Sequence, residues 1–319
     1  MKQIIFDTDI GIDDAMALLF LHFANEVEIL SIISGYGNAS IERTTVNALY
    51  MNKLFNINAP IFSGASNPLG ENTPEFPDFV HGINGLGDID IPEDVGQPES
   101  LGGAQAIVDA IRQNPGKITI VSVGRLTNVA LALNLCPELP ALVKEIIIMG
   151  GAFGFNGHYG NVSPVAEANI AGDPKAADLV FTSGMPITVV GLDVTLEVTM
   201  EETYFDALRA EAGLAGEFIY RISQCYLDFH ERVHGHRSCP VHDPSAVAYL
   251  LQPQIFGTID ASVRVVTEGD AAGQTICGNP TGHSEIDTPT LSKTSKICTS
   301  VDADALLHLY HRTLASSVN

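Results

Sequence analysis

The chain has 319 residues, 45% of them hydrophobic, which supports a large core and gives a prior of one large or two ordinary domains. Its formal charge of −22 argues against nucleic acid or an anionic membrane as partner, because both need Lys/Arg patches. Five cysteines (Cys136, Cys225, Cys239, Cys277, Cys298) form an odd, widely spaced set without a CxxC, the pattern of reduced thiols in a cytoplasmic protein. No apolar run reaches membrane-spanning length, and the N-terminus enters a strand pattern with no signal-peptide pattern before it.

The first element, Ile4–Phe6, is an apolar run typical of a buried parallel strand. It leads into Asp7-Thr8-Asp9-Ile10-Gly11-Ile12-Asp13-Asp14, four carboxylates within eight residues, and then a helix pattern from about Asp14 to Ala24. Asp7 and Asp9 are two apart, so an extended backbone turns both to one side. Asp13 and Asp14 fall where a helix N-terminus favours acids. Val27–Ser34 is a second apolar strand ending in Gly35-Tyr36-Gly37-Asn38, followed by an amphipathic helix over Ile41–Leu54 and a short strand at Pro60–Phe62. From Ser63 to Ser100 Gly, Pro, Asn and Asp predominate, as in a long functional or mobile loop.

Alternation then resumes. Ala104–Arg112 reads as helix, Ile118–Val123 as strand, Val129–Leu135 as helix and Glu145–Met149 as strand. A Gly-rich loop runs to Asn169. Asp173–Phe181 (helix) and Ile187–Val190 (strand) follow, then helices at Thr203–Leu208, Glu217–Arg232 and Pro244–Leu251, the last opened by Asp243 as N-cap. Val263–Thr267 and Gln274–Cys277 form a hairpin pattern, Ser295–Val301 a late strand and Asp304–Leu314 a closing helix. Strand–helix alternation means right-handed parallel crossovers. The expected architecture is therefore one α/β domain over residues 1–319. It has an open, mostly parallel, Rossmann-like central sheet with helices on both faces, plus a small C-terminal hairpin. Ligands bind outside the carboxyl ends of such strands. The polar residues Asp7, Asp9, Asn38, Thr127 and the Met149-Gly150-Gly151 turn all fall there.

Four clustered acids need a cation, a shared proton or donors. Two unit charges about 4 Å apart repel by about 4 kcal/mol at an effective dielectric near 20. Helix capping accounts for one or two of them only. Carboxylates with carbonyls select a hard cation, Ca²⁺ or Mg²⁺, and a flexible oxygen cage favours Ca²⁺. An EF-hand is excluded, since Gly11 comes one place early and no Glu stands twelfth. Asn161 to Asn169 is a second polar cluster. Glu167 and Asn169, alternating on an extended segment, fit the hydroxyls of a sugar, against the plainer reading of an Asx- and Pro-rich loop. His242 beside Asp243 has the chemistry of a proton donor near neutral pH, although a lone His is more often structural. His234, His236, Cys239 and His242 have zinc-ligand chemistry at irregular spacing. His81, in the long loop, is a weak signal by itself.

With these residues in place the chain resembles the nucleoside hydrolases of the inosine–uridine-preferring type. Asp7-Thr8-Asp9-Ile10-Gly11-Ile12-Asp13-Asp14-Ala15 is similar to the family's DxDxGxDDA fingerprint. Gly37-Asn38, His81-Gly82, Leu126-Thr127-Asn128, Met149-Gly150-Gly151, Asn161 to Asn169, His242-Asp243-Pro244 and Gly273-Gln274-Thr275 follow in the family's order. The resemblance covers nearly the whole chain. It implies hydrolysis of the N-glycosidic bond of ribonucleosides with one Ca²⁺, a nucleoside as small-molecule partner, and a homodimer or homotetramer. By position it implies that Asp9, Asp14, the Thr127 carbonyl and Asp243 hold the metal, with Asp9 also the catalytic base. Asp13, Asn38, Met149 through its backbone, Asn161, Glu167, Asn169 and Asp243 would surround the ribose. His242 would protonate the leaving base, with His81 beside it, through a transition state resembling an oxocarbenium ion. The chain has no Trp, on which the purine-specific branch stacks its base. Arg125 and Ile10 stand where Pro is common, and Ser245 where Cys is common. Arg125 is compatible with a neighbouring cation site only if it points outward.

Two alternatives make different demands. A haloacid-dehalogenase-like phosphatase would use Asp7 as a phosphorylated nucleophile and leaves the Asp13-Asp14 pair and the loop around Glu167 unexplained. A Ca²⁺-dependent ribose- or nucleoside-binding protein keeps the sugar contacts but needs neither Asp9 as base nor His242 as acid.

Overall fold

The computed structural model describes residues 1–70, 74–278 and 295–316. In chain order its strands are β1 (Lys2–Thr8), β2 (Val27–Ser34), β3 (Ile61–Ser63), β4 (Ile118–Ser122), β5 (Glu145–Met149), β6 (Ile187–Val190), β7 (Thr199–Glu201), β8 (Ser238–Pro240), β9 (Phe256–Ala261), β10 (Val263–Val265), β11 (Thr275–Cys277) and β12 (Ser295–Val301). Eight of them make one sheet in the order β3-β2-β1-β4-β5-β6-β12-β9. Every pairing is parallel except that of β9 with β12.

The order explains where a ligand can sit. From β1 the chain winds outward through β2 to β3, then returns to place β4, β5 and β6 on the other side of β1. The crossovers leave in opposite directions at the β1–β4 seam, opening a crevice at the carboxyl ends of these strands.

The sheet is buried on both faces, so its strands are apolar at nearly every position. Ile4 and Phe6 of β1 join one core with the helices Ile12–Phe23, Gly213–His234, Asp243–Leu251 and Ala303–Ala315. Ile5, between them, joins the other with the helices Gly103–Gln113, Thr127–Leu135 and Pro174–Thr182. The period-two alternation of β1 thus divides its side chains between two cores. All five cysteines are free. Among the described residues no helix is long and apolar enough to cross a membrane.

Most elements lie where the sequence pattern places them, and β2 and β12 have the expected ends. The expected hairpin forms as β10–β11. Several features differ. β9 forms where the sequence pattern places no element, because an edge strand with exposed Gly257, Thr258 and Asp260 has little apolar signal. β7 and β8 form a two-stranded ribbon that carries the chain towards His242. Ala168–Gly172 is a short helix rather than extended chain, because the Glu167 carboxylate accepts the amides of Asn169 and Ile170 and caps it.

Candidate active site

The opening acids lie where β1 meets the helix Ile12–Phe23, and all four are less than a tenth exposed. They do different work. Asp14, in the first helical turn, accepts the Gly11 amide at 2.9 Å and so satisfies one of the free amides at the start of the helix. It also accepts the Thr8 hydroxyl (2.5 Å), the Asp9 amide (3.1 Å) and the Asn38 side-chain amide (2.7 Å). Asp7 turns into the sheet seam. It accepts Ser122 Oγ of β4 at 2.7 Å and Asn128 Nδ2 at 2.9 Å. Burial still pushes it up to about 6.

Asp9 does not share the side of Asp7 as strand alternation would have it. β1 ends at Thr8, and Asp9 bends away to accept the Asn38 amide at 2.8 Å. Its carboxylate is wedged between two glycines. A Cβ on Gly37 would lie 1.7 Å from Asp9 Oδ2, and one on Gly124 would lie 2.6 Å from Oδ1. Neither loop tolerates a side chain there, so the glycines after β2 and β4 make room for this acid at the seam. Its other oxygen, Oδ1, is buried without a partner, as is Asp13 Oδ1.

Asp243 completes the acidic wall. It lies in the first turn of its helix, and the cap position falls on His242, with no side-chain cap bond, rather than on Asp243. One oxygen each of Asp13, Asp14 and Asp243 lies within 4.8 Å of the others, a group able to hold a metal ion. Asp13 therefore stands in the cluster where the sequence reading has Asp9. Burial, followed by the negative neighbours, raises Asp9 and Asp243 well above the usual carboxylate range and Asp13 to about 8. Among the described residues no Lys or Arg forms an ion pair with these acids. Orphaned, uncompensated carboxylate oxygens are a donor set suited to a hard cation.

Across the β5 loop, Glu167 accepts Gly151 N at 2.9 Å with the same oxygen that takes Ile170 N at 3.1 Å. Asn169 donates to the carbonyls of Val123 (2.7 Å) and Met149 (3.2 Å), joining the ends of β4 and β5. Asn161 Oδ1 accepts the Ala168 amide. Thr127 opens its helix and donates to Asp173 Oδ2 at 2.7 Å, while Tyr36 Oη lies 3.2 Å from the same Thr127 hydroxyl. Arg125 is half-buried, its guanidinium 4.6 Å from the centre of the Tyr36 ring. Of the other departures, Ile10 is fully buried and Ser245 donates to the Val241 carbonyl.

The adjoining wall is made of imidazoles. His81 Nδ1 accepts the Ile12 amide at 3.2 Å and lies 4.0 Å from Asp13 Oδ1, which leaves its ring proton on Nε2. Burial pushes it down to about 4. His242 Nδ1 is 2.8 Å from Thr195 Oγ1, and burial, then His230 and His81, lower it to about 3. Tyr226 and His230 escaped the sequence reading. His81 stacks on Tyr226 at 5.8 Å, Tyr226 meets His230 edge-on at 4.7 Å, and His230 stacks on His234 at 5.5 Å. Their spacing of four on the helix Gly213–His234 was the available signal, since it places all three on one face. The zinc arrangement of His234, His236, Cys239 and His242 does not assemble; among the described residues only Asp13, Asp14 and Asp243 form a metal-capable group.

Asp7 is fully enclosed, with both oxygens bonded, which removes the phosphatase alternative. A parallel sheet with acids, amides and imidazoles around its switch point defines the class, and comparison with known proteins agrees. The fold is similar to a plant nucleoside hydrolase, PpNRh1, with a TM-score of 0.93 at 32% identity over 98% of this chain and 99% of that one. It is also similar to a purine-preferring ribonucleoside hydrolase from Gardnerella vaginalis, with a TM-score of 0.91 at 30% identity over 100% of both. A uridine nucleosidase of Arabidopsis thaliana is 38% identical over 86% of this chain and 81% of its own. The chain belongs to the inosine-uridine preferring nucleoside hydrolases, whose family model matches residues 4–308. It is an N-ribohydrolase, an enzyme that hydrolyses ribonucleosides.

Proposed function

We propose that the enzyme hydrolyses uridine and inosine to ribose and free base with one Ca²⁺, held by Asp9, Asp14, the Thr127 carbonyl and Asp243. The observation that carries this reading is the buried, unpaired acid wall, with Asp9 Oδ1 and Asp13 Oδ1 lacking any partner. When bound, the cation neutralises these charges and lowers the pKa of a water in its shell.

The chain's own residues do the rest. Asp9, held between Gly37 and Gly124, takes the proton of the attacking water. Asp13, Asn38, the Met149 backbone, Asn161, Glu167, Asn169 and Asp243 surround the ribose. Their carboxylate and amide oxygens stabilise the positive charge of an oxocarbenium-like transition state. His81 flanks the base. His242 delivers a proton to it. Its lowered pKa makes the resting imidazole neutral at pH 7, so the proton it hands on is taken up from solvent as negative charge develops on the departing base.

Over residues 1–319 the chain acts as one α/β domain in a homodimer or homotetramer. A cytoplasmic role in nucleoside catabolism suits its five free thiols. The test is release of reducing sugar from uridine and inosine before and after exhaustive chelation. Activity should vanish with EDTA and return with Ca²⁺. Full turnover in the chelated protein would overturn the metal reading.

A further inference from the structure

Arg125 occupies a seat built for it. A Cβ on Gly172 would lie 2.2 Å from Arg125 Nε and 2.5 Å from its Cδ, so the arm lies flat against bare backbone. The other side of the guanidinium faces the Tyr36 ring at 4.6 Å. An arginine between a backbone plane and an aromatic face gains both stacking and cation–π attraction. Its terminal nitrogen, Nη2, reaches the Glu75 carbonyl at 3.3 Å.

Each partner leads back to the site. Tyr36 Oη touches the Thr127 hydroxyl and donates to the Gly172 carbonyl at 3.3 Å. The Tyr36 amide donates to Ala65 O, and the Ala65 amide donates to Asn128 Oδ1. Asp173 Oδ2 receives both Thr127 Oγ1 and the Leu69 amide. The turn after β4, which carries Thr127, is thereby joined to Ala65, Leu69 and Glu75, and among the described residues Arg125 touches Tyr36, Gly172 and Glu75 together. Its positive charge also lowers Asp9 and Glu167, so the arm lies near enough to be felt by both.

We propose that Arg125 is a positioning residue: stacked between Tyr36 and Gly172, it straps the Thr127 turn to Glu75. Through that strap it holds the Thr127 carbonyl in register. The part played by the carbonyl rests on the metal reading above, whereas the strap itself does not.

Three variants separate seat from charge. Arg125→Ala removes the arm. Gly172→Ala keeps the charge but evicts the arm, and no positive φ makes alanine unwelcome there. Arg125→Lys keeps a cation over Tyr36 without the planar fork. Amide exchange is followed in the metal-free protein at residues 65–69 and 75–79, Ca²⁺ affinity by calorimetry, and KM and kcat on uridine. Arg125→Ala and Gly172→Ala should both speed exchange in those segments and weaken Ca²⁺ binding by about tenfold. Both should raise KM several-fold with kcat within about threefold of the parent, the signature of lost positioning. Arg125→Lys should recover part of each loss.

Unchanged exchange in Arg125→Ala overturns the proposal. So does a loss confined to Arg125→Ala with Gly172→Ala at parental values, because charge rather than seating would then be the cause. A parent protein that takes up no Ca²⁺ would sink the metal reading, while the exchange result still decides the strap.

Discussion

The acid wall of Asp9, Asp13, Asp14, Asp243 and Glu167 adjoins an imidazole wall of His81, His230 and His242, and burial acts on the two in opposite directions. It raises the carboxylates, Asp13 to about 8, and lowers the imidazoles, His81 and His230 to about 4 and His242 to about 3. The cause is common: a charge removed from water is disfavoured whatever its sign. The consequence differs. A neutral imidazole carries no charge to compensate, so His81 stacked on Tyr226 and His230 edge-on to it need no counter-ion, although His230 Nε2 is itself without a partner. The acids sit at the end of a buried sheet with orphaned oxygens and call for a cation. One wall is thus suited to generating and orienting a nucleophile and the other to receiving a base.

The sharpest way to break this contrast is Asp9→Asn, which keeps the shape between Gly37 and Gly124 but cannot take a proton. We expect a loss of about 10³-fold or more in kcat, equal on uridine and inosine, since activation of the water is common to both substrates. A reducing-sugar assay within tenfold of the parent would remove Asp9 from that role. His242→Ala tests the other wall. It should cost about 10²-fold on inosine but little on a p-nitrophenyl riboside, whose leaving group needs no proton. Equal losses on both substrates would end the proton-donor role.

The smallest effect is on stability. Asp13 has a folded value of about 8 against 3.8 ordinarily, so the folded state binds its proton more tightly. That stabilisation is full below 3.8 and is lost as pH rises through 8. The histidines act oppositely: their folded values lie below the usual 6.5, so their contribution is present above 6.5 and lost as pH falls towards 4. Between pH 6.5 and 8 the folded state's raised acids give up their protons. The Tm of the metal-free protein should therefore fall over that window, and saturating Ca²⁺ should flatten the slope. A Tm that rises from pH 6.5 to 8 without metal would contradict the burial of an uncompensated acid wall.

The two walls were unequally legible. The acid wall is largely contiguous, since Asp7 to Asp14 fall in one strand–turn–helix and their repulsion is visible in the sequence. Its division of labour was only half legible. Alternation put Asp7 beside Asp9, but the strand stops at Thr8, and Asp7 went instead to Ser122 and Asn128, more than a hundred residues away. Glu167 and Asn169 were singled out, but as extended chain, because a five-residue helix held by one carboxylate cap has too few turns to show a period. On the imidazole wall His81 and His242 were found, whereas Tyr226 and His230 read as ordinary positions of an amphipathic helix.

The sequence by itself determined the parallel α/β architecture, the two-faced burial of its strands and the presence of an acid cluster needing a counter-charge. These depend on local pattern, namely apolar runs, helix periodicity and like charges too close to be left alone. Only the tertiary structure decided that the winding reverses between β1 and β4, that Gly37 and Gly124 close on Asp9, and that Arg125 turns onto Tyr36 and Gly172. These depend on contacts between residues distant in the chain, where the space left by a missing Cβ or the end of a strand selects one arrangement that no local pattern records.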